Sequence, residues 1–266
     1  MPIPKTSDAE LIDYLRSLGL CEGHHVLVHS RLLSLGVLER GVASVFDALV
    51  AAVGDTGTVC VPAFNLYMPE GFVFDPASTP PQGMGSLTNF VWDRGGWTRS
   101  ACPINSHLCI GAKAHLMNDV SGTVSLGEGC DFQQFLDHGF HLLMLGLTYN
   151  EGASYMHYVE YCARSPYRTT LQLPRKRRDA DGVVRDVWVD YYGRPSADMD
   201  DNNRRRAYLE NYNAVEKVLT DRKLLTRRDC AFGYSTYAAI RTVHDTAMEM
   251  LREDPYAMVL ENREEP

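Results

Sequence analysis

Ser154, His157 and Glu160, within Gly152-Ala-Ser-Tyr-Met-His-Tyr-Val-Glu160, are the residues whose types and spacing best suit proton transfer. Residues three apart on a helix share one face, with Cβ atoms about 5–6 Å apart. An imidazole beside a carboxylate is the usual equipment of a general base. A hydroxyl three residues before the imidazole shares that edge of the helix and stands ready for an oxyanion. The alternative is a helix whose His and Glu are merely solvated or paired with each other. The stretch follows the apolar run His141-Leu-Leu-Met-Leu-Gly-Leu147, so a short buried strand ending in a turn feeds the helix.

Three further stretches carry candidate chemistry. In His29-Ser-Arg-Leu-Leu-Ser-Leu-Gly36 a strand feeds a helix-like turn, whose backbone N–H groups are of a kind that holds phosphate. The glycines of a P-loop or dinucleotide fingerprint are missing, and an ordinary strand-to-helix turn is the simpler reading. Arg99 and Ser100, with Pro103 and Ser106, suit either a phosphate or a plain polar turn. The basic runs Arg175-Lys-Arg-Arg178 and Arg204-Arg-Arg206 are the usual pattern of solvated faces; facing a cleft, they argue for an anionic substrate. Asp198-Met-Asp-Asp201 is close enough in sequence to neutralise them. No His-x-x-x-His, metal-type carboxylate motif or Cys/His knuckle is present, so no metal is expected. The Gly-x-Ser-x-Gly nucleophile elbow is absent, and Cys130 and Cys162 have no base adjacent in sequence.

Composition narrows the classes. A net charge of −8 excludes general nucleic-acid binding and suits a cationic substrate. No apolar run approaches the ~20 residues of a membrane span, and the first ten residues lack a basic-then-apolar signal pattern. Seven scattered cysteines without a Cys-x-x-Cys pair point to a reducing cytoplasm and away from a disulfide frame or zinc site.

The elements that must position these residues follow from periodicity. Ser7 to Leu20 reads as a helix with Ser7 as N-cap, Asp8 and Glu10 in its first turn, and a stripe of Leu11, Leu15 and Leu18. Strands are expected at 25–29, 57–64, near 107–111 and at 141–147. Helices are expected at 42–53, capped by Gly54, and at 86–93. Asn65 to Gln82, rich in Pro, Gly and aromatics, reads as a loop over a site. Beyond Pro166, segments 169–173 and 183–190 read as a hairpin joined by Asp181-Gly182, and 204–218 and 234–251 as helices. The expected fold is α/β: one domain over 1–266, a three-layer α/β/α core with a mixed central sheet, and a smaller α+β substrate-covering lobe over about 165–230.

Several segments, taken in order, resemble the aminoglycoside 3-N-acetyltransferase family, which is distinct from the common GNAT acetyltransferases. They are the 29–36 turn, Gly54 to Phe64, Phe74-Asp-Pro76, Gly83-Met-Gly-Ser-Leu87, Arg99-Ser-Ala-Cys-Pro103, Ser106 to Gly111, Leu142 to Gly146 and Ser154 to Glu160. The resemblance implies acetyl transfer from acetyl-CoA, as co-substrate and without a metal, to an amine. His157 would be the general base with Glu160, and Ser154 stands where the family usually has a threonine near the thioester carbonyl. His29, Ser30, Arg31, Leu32, Leu33 and Gly36 would hold the cofactor, with Arg99 and Ser100 on its side. Asn65, Tyr67, Asp75 and Asn89 are the candidate substrate contacts.

The chain departs from the family pattern at Cys102-Pro103, Asn89 and Cys130-Asp131. One lost acidic residue and the basic runs favour a biosynthetic, sugar- or nucleotide-linked amine, with an aminoglycoside and antibiotic resistance as the alternative. A catalytically inactive CoA-binding protein is the alternative of another class. The expected partners are a small-molecule amine and a CoA thioester, with no nucleic acid or membrane, in a cytoplasmic monomer or homodimer.

Overall fold

A computed structural model describes residues 4–195 and 208–261. The chain runs β1 (Lys5–Thr6), α1 (Asp8–Leu18), β2 (His25–Ser30), a 3₁₀ turn (Leu32–Leu35), β3 (Val37–Leu38), α2 (Val42–Val53), β4 (Thr58–Pro62), β5 (Val73–Phe74), α3 (Ser86–Arg94), β6 (Thr98–Arg99), β7 (His107–Gly111), α4 (Asp131–Asp137) and β8 (His141–Leu145). It continues through α5 (Tyr149–Gly152), α6 (Tyr155–Ala163), β9 (Thr169–Arg178), β10 (Val184–Gly193), β11 (Tyr208–Glu210), α7 (Asn213–Asp221), β12 (Thr226–Cys230), β13 (Gly233–Ala239), α8 (Ile240–Glu253) and β14 (Val259–Glu261).

Seven strands form the central sheet in the order β12-β13-β8-β2-β4-β7-β6. The middle strands β8, β2 and β4 are parallel, and those flanking them are antiparallel, so the sheet is mixed. Side chains alternate between its faces with the period of two that a pleated strand imposes. Val26 and Val28 of β2 and Leu143 and Leu145 of β8 pack with Leu11, Leu15, Phe46, Leu49 and Leu87 of α1, α2 and α3. Leu27, Leu142 and Met144 face the other way, against Phe132, Phe135, Tyr155, Val159, Val243 and Leu251 of α4, α6 and α8. The expected three-layer core is therefore present. Ser7 caps α1 in a reciprocal box with Glu10, which satisfies two otherwise free N–H groups.

Several expectations are corrected. Ser235 to Ala239 belong to strand β13, which pairs with β8 and β12; the apolar spacing Ile240, Val243, Ala247 and Leu251 begins only at α8. The helix expected at 204–218 begins at Asn213, and 208–210 is a strand against β14; residues 204–206 and 198–201 lie outside the described residues. The hairpin β9–β10 is longer than expected and takes β5 as a third strand. Within 165–230, β12 joins the central sheet and Val215 and Leu219 of α7 enter the main core. Cys60 and Cys109, opposite each other on β4 and β7, form a disulfide. Cysteine spacing gave no sign of it, since only strand register brings together residues 49 apart. Among the described residues, no helix is long and apolar enough to cross a membrane, and no group of His, Cys, Asp and Glu is arranged to hold a metal.

Candidate active site

From β2 the chain crosses to β4 on one side, and β8 lies on the other. Loops leaving the carboxyl ends of β2 and β8 diverge there, the place where open α/β sheets form a crevice. A cleft of about 550 Å³ occupies it, lined by His29 and Ser30 at the end of β2, Pro62 at the end of β4 with Phe64 beyond it, and Leu147, residues 149–154 and His157 after β8. Gly83 to Thr88 and Glu210 with Tyr212 complete the wall.

His157 lies in the first turn of α6, with 28% of its side chain exposed. Its Nδ1 is 3.0 Å from Glu160 Oε2 and 2.8 Å from the Tyr212 hydroxyl. Glu160 is fully buried and receives hydrogen bonds from the Tyr167 hydroxyl at 3.0 Å and the Tyr212 hydroxyl at 3.1 Å. Arg168 Nε lies 2.7 Å from Glu160 Oε2 as an ion pair. Burial alone would raise the Glu160 carboxyl, but the His157 hydrogen bond and the Arg168 charge outweigh it and hold the group below its ordinary value. An ionised carboxylate only accepts hydrogen bonds, so the Glu160 contact requires the proton on His157 Nδ1 and leaves the lone pair on Nε2; Arg168 Nη2, 3.0 Å from the same Nδ1, can only donate and competes with Glu160 for that position. Nε2 has no hydrogen bond among the described residues. Burial and Arg168 hold the imidazole below 6.5, and Glu160 offsets part of that. The ring is therefore neutral near pH 7 and able to accept a proton at Nε2.

Ser154 reaches the cleft by a local device that the helix-spacing argument did not contain. The helix carrying His157 begins only at Tyr155: a short α5 ends at Gly152, and Ala153 adopts φ −72 and ψ 65 with the Ser154 N–H on Gly152 O at 2.6 Å. That is an inverse γ-turn, and it makes Ser154 the residue that precedes α6. Gly152 permits it, because a Cβ there would meet Leu147 Cδ1 at 2.6 Å and the His29 Cβ at 3.5 Å. Ser154 Oγ consequently sits 3.3 Å from His29 Nε2.

The other expected site residues divide sharply. Of the 29–36 turn, only His29 and Ser30 line the cleft. Arg31 is turned to Glu151 and Ser34, Leu32 packs with the core under α1 and α2, Leu33 is solvent-exposed, and Gly36 lies tight against Pro4 O. Arg99 does not line the cleft. It is buried and donates to Ser106 Oγ at 2.9 Å, Ala63 O at 2.6 Å, Asn65 Oδ1 at 2.7 Å and Thr79 O, its guanidinium stacked over Phe74. Burial lowers its pKa to about 10. Ser100 Oγ is buried on Asp131 Oδ2 at 2.6 Å. Asn65 is buried and bridges Arg99 and Pro80 O, so it braces the loop. Tyr67 is exposed, Asp75 caps its own turn at Ala77 N, and Asn89 is exposed on α3; none lines the cleft.

Sequence reasoning missed Arg168 and Tyr212, which clamp the His157–Glu160 pair from outside α6. It also left α3 without a role toward the cofactor. The first turn of α3 borders the cleft and has no side-chain cap, so its free N–H groups suit a phosphate. Pro62, Phe64, Met84 and Leu147 offer apolar wall for the arm of a CoA thioester.

A family model described as aminoglycoside 3-N-acetyltransferase matches residues 27–252. Aminoglycoside N(3)-acetyltransferase III of Salmonella sp is 30% identical over 191 residues, covering 64% of this chain and 66% of that protein. That alignment therefore spans just under two thirds of the relative. Aminoglycoside N(3)-acetyltransferase IV of Salmonella sp is 29% identical over 256 residues, covering 93% of this chain and 88% of that protein. The solved binary complex of AAC-IIIb with CoASH superposes with a TM-score of 0.81 at 19% identity, covering 99% of this chain and all of that one, which is a likeness of fold.

Proposed function

We propose, from the premise that this chain belongs to the aminoglycoside 3-N-acetyltransferase family, that it transfers the acetyl group of acetyl-CoA directly to an amine of an aminoglycoside. It is a CoA-dependent acyltransferase whose co-substrate is acetyl-CoA. The observation that carries the reading of the site is His157, locked at Nδ1 by Glu160 and open at Nε2 toward the cleft.

The thioester supplies an activated acyl carbon. As the amine nitrogen bonds to that carbon, His157 Nε2 takes the proton that nitrogen must lose, and Glu160 stabilises the imidazolium that results. The same proton then passes to the departing CoA sulfur, which returns His157 to its neutral form. Ser154 and a backbone N–H at the start of α6 face the acyl oxygen, where negative charge develops. No enzyme-bound acyl group is required, so no activated nucleophile is needed.

The preference for a biosynthetic, sugar- or nucleotide-linked amine gives way to the aminoglycoside. That preference leaned on one lost acidic residue and on the basic runs; 204–206 lie outside the described residues, and Arg175 to Arg178 lie on β9 and do not line the cleft. Lys176, Arg177 and Arg178 there pair with Asp186, Asp179 and Asp75. Among the described residues, the carboxylates lining the cleft are Glu151 and Glu210, and no Lys or Arg side chain lines it. Both carboxylates are ion-paired, Glu151 with Arg31 and Glu210 with Arg194 and Arg168, so the aminoglycoside reading is supported by the family and by the lack of a basic cleft wall among the described residues. The test is an acetyl-CoA turnover screen against aminoglycosides, amino sugars and nucleotide-linked amines, with the acetylated position located by mass spectrometry and NMR. Transfer to the 3-amine of an aminoglycoside is expected; turnover of nucleotide-linked amines alone would overturn the substrate.

A further inference from the structure

We propose that His29 is the positioning residue for Ser154: its Nε2–H donates to Ser154 Oγ and leaves the Ser154 hydroxyl proton free for the acyl oxygen. The inference rests on the acetyl-transfer reading above and gives His29 a part in it other than holding the cofactor.

Ser154 Oγ and His29 Nε2 are 3.3 Å apart at the floor of the cleft, and either atom can supply the proton between them. A serine hydroxyl has one proton. If it were given to the imidazole, Ser154 would have none for a developing oxyanion. The reverse assignment makes two donors in series, His29 to Ser154 and Ser154 to the acyl oxygen.

The surroundings keep His29 neutral, so the bond passes no proton, and the need of the acyl oxygen for a donor sets its direction. His29, the last residue but one of β2, is 6% exposed and pairs in register with Met144 of β8. His107 stands on the same sheet face, opposite Pro62 of β4, and its Nδ1 is bonded to buried Asp131 at 2.8 Å. Burial, then the nearby His107, lowers the His29 pKa to about 3. Such an imidazole is too weak a base to take a serine proton at neutral pH, which removes the alternative of a serine nucleophile activated by His29. A histidine held neutral remains a competent hydrogen-bond donor. The γ-turn at Ala153 and the bare backbone of Gly152, where an added Cβ would lie 3.5 Å from the His29 Cβ, bring residue 154 over His29.

The experiment compares H29A, H29Q, S154A and the double variant H29A/S154A with the wild type on an aminoglycoside that the wild type acetylates. H29A and S154A should each lower kcat by about 10²-fold, the loss typical of one oxyanion donor. The double variant should be no slower than S154A, since the two act as one unit. H29Q, which keeps an N–H donor, should recover roughly tenfold over H29A. The acid limb of the kcat/KM profile should stay in place. Additive losses, a change confined to the KM for acetyl-CoA, or a displaced acid limb would each overturn the assignment. A wild type that acetylates no amine would instead sink the proposed function. In that case ¹⁵N NMR of the resting protein still decides: a protonated Nε2 on His29 supports the proposal, and a protonated Nδ1 ends it.

Discussion

At the carboxyl ends of the parallel strands, His157 is backed by the buried carboxylate of Glu160 and opens on a cleft. At the amino ends of β2 and β8, histidines are more numerous and do something else. His24 and His141 stack with ring centroids 4.3 Å apart, His141 stacks on Tyr237 at 5.0 Å, and His24 Nδ1 meets the Tyr237 hydroxyl at 2.6 Å. His25 Nδ1 is tied to Thr58 Oγ1 at 3.1 Å. Burial lowers the proton affinity of histidines at both ends. The difference is the partner. Glu160 stabilises the cation that His157 forms in turnover, whereas aromatic faces and neighbouring imidazoles give His24, His25 and His141 no such support. One end of the sheet is equipped to gain and lose a proton; the other is built to stay neutral.

The hardest test of this contrast is H157A. It should lower kcat by about 10²–10⁴-fold, the usual worth of a general base, with little change in the KM for acetyl-CoA. Release of the CoA thiol measures it, and near wild-type turnover would remove the distinction between the two ends.

A second, smaller effect separates cleft residues from the bracing beneath them. R99M should leave buried acceptors on Ala63, Asn65 and Thr79 without a donor. At on the order of 3 kcal/mol in total, the melting temperature should fall by about 6–12 °C. An unchanged melting temperature with a raised KM for acetyl-CoA would return Arg99 to the cofactor.

The mildest effect uses pH. His25 and His141 stay uncharged in the folded protein down to about 4, while an unfolded histidine takes a proton near 6.5. As pH falls from 6.5 toward 4 the unfolded state binds more protons, so stability is present above 6.5 and drains away through that window. Melting curves between pH 7 and 5 should show this loss, and H141Q should lessen it. The catalytic end reports the same protons as activity: kcat/KM should fall on the acid side with a midpoint below 6.5, the limb belonging to His157. An H141Q protein with the full acid loss would show that the stacked cluster does not set acid stability.

The core of the fold was readable because its signals are local. Short continuous apolar runs in 25–30 and 141–145 mark strands buried on both faces, and α2 runs from Val42 to Val53, the span its apolar periodicity suggested. The misread boundaries share a cause. Residues 233–239 are held as a strand by partners on both sides, and nothing in their own spacing announces β8 or β12. The break at Ala153 was equally silent, since neither proline nor a left-handed glycine marks it.

For the site, the sequence by itself determined the His157–Glu160 pair, because a spacing of three on a helix is a statement about distance. It also determined the family, through an ordered series of short segments. Only the tertiary structure decided what surrounds that pair: Arg168 and Tyr212 closing on it, His29 meeting Ser154 across 125 positions, and Arg99 withdrawn from the cleft into the packing below. Helix spacing fixes neighbours within a turn. Side chains from different strands and loops become neighbours only when sheet register and burial bring them together, and burial also fixes which of them stay neutral, which stay charged and which remain open to a substrate.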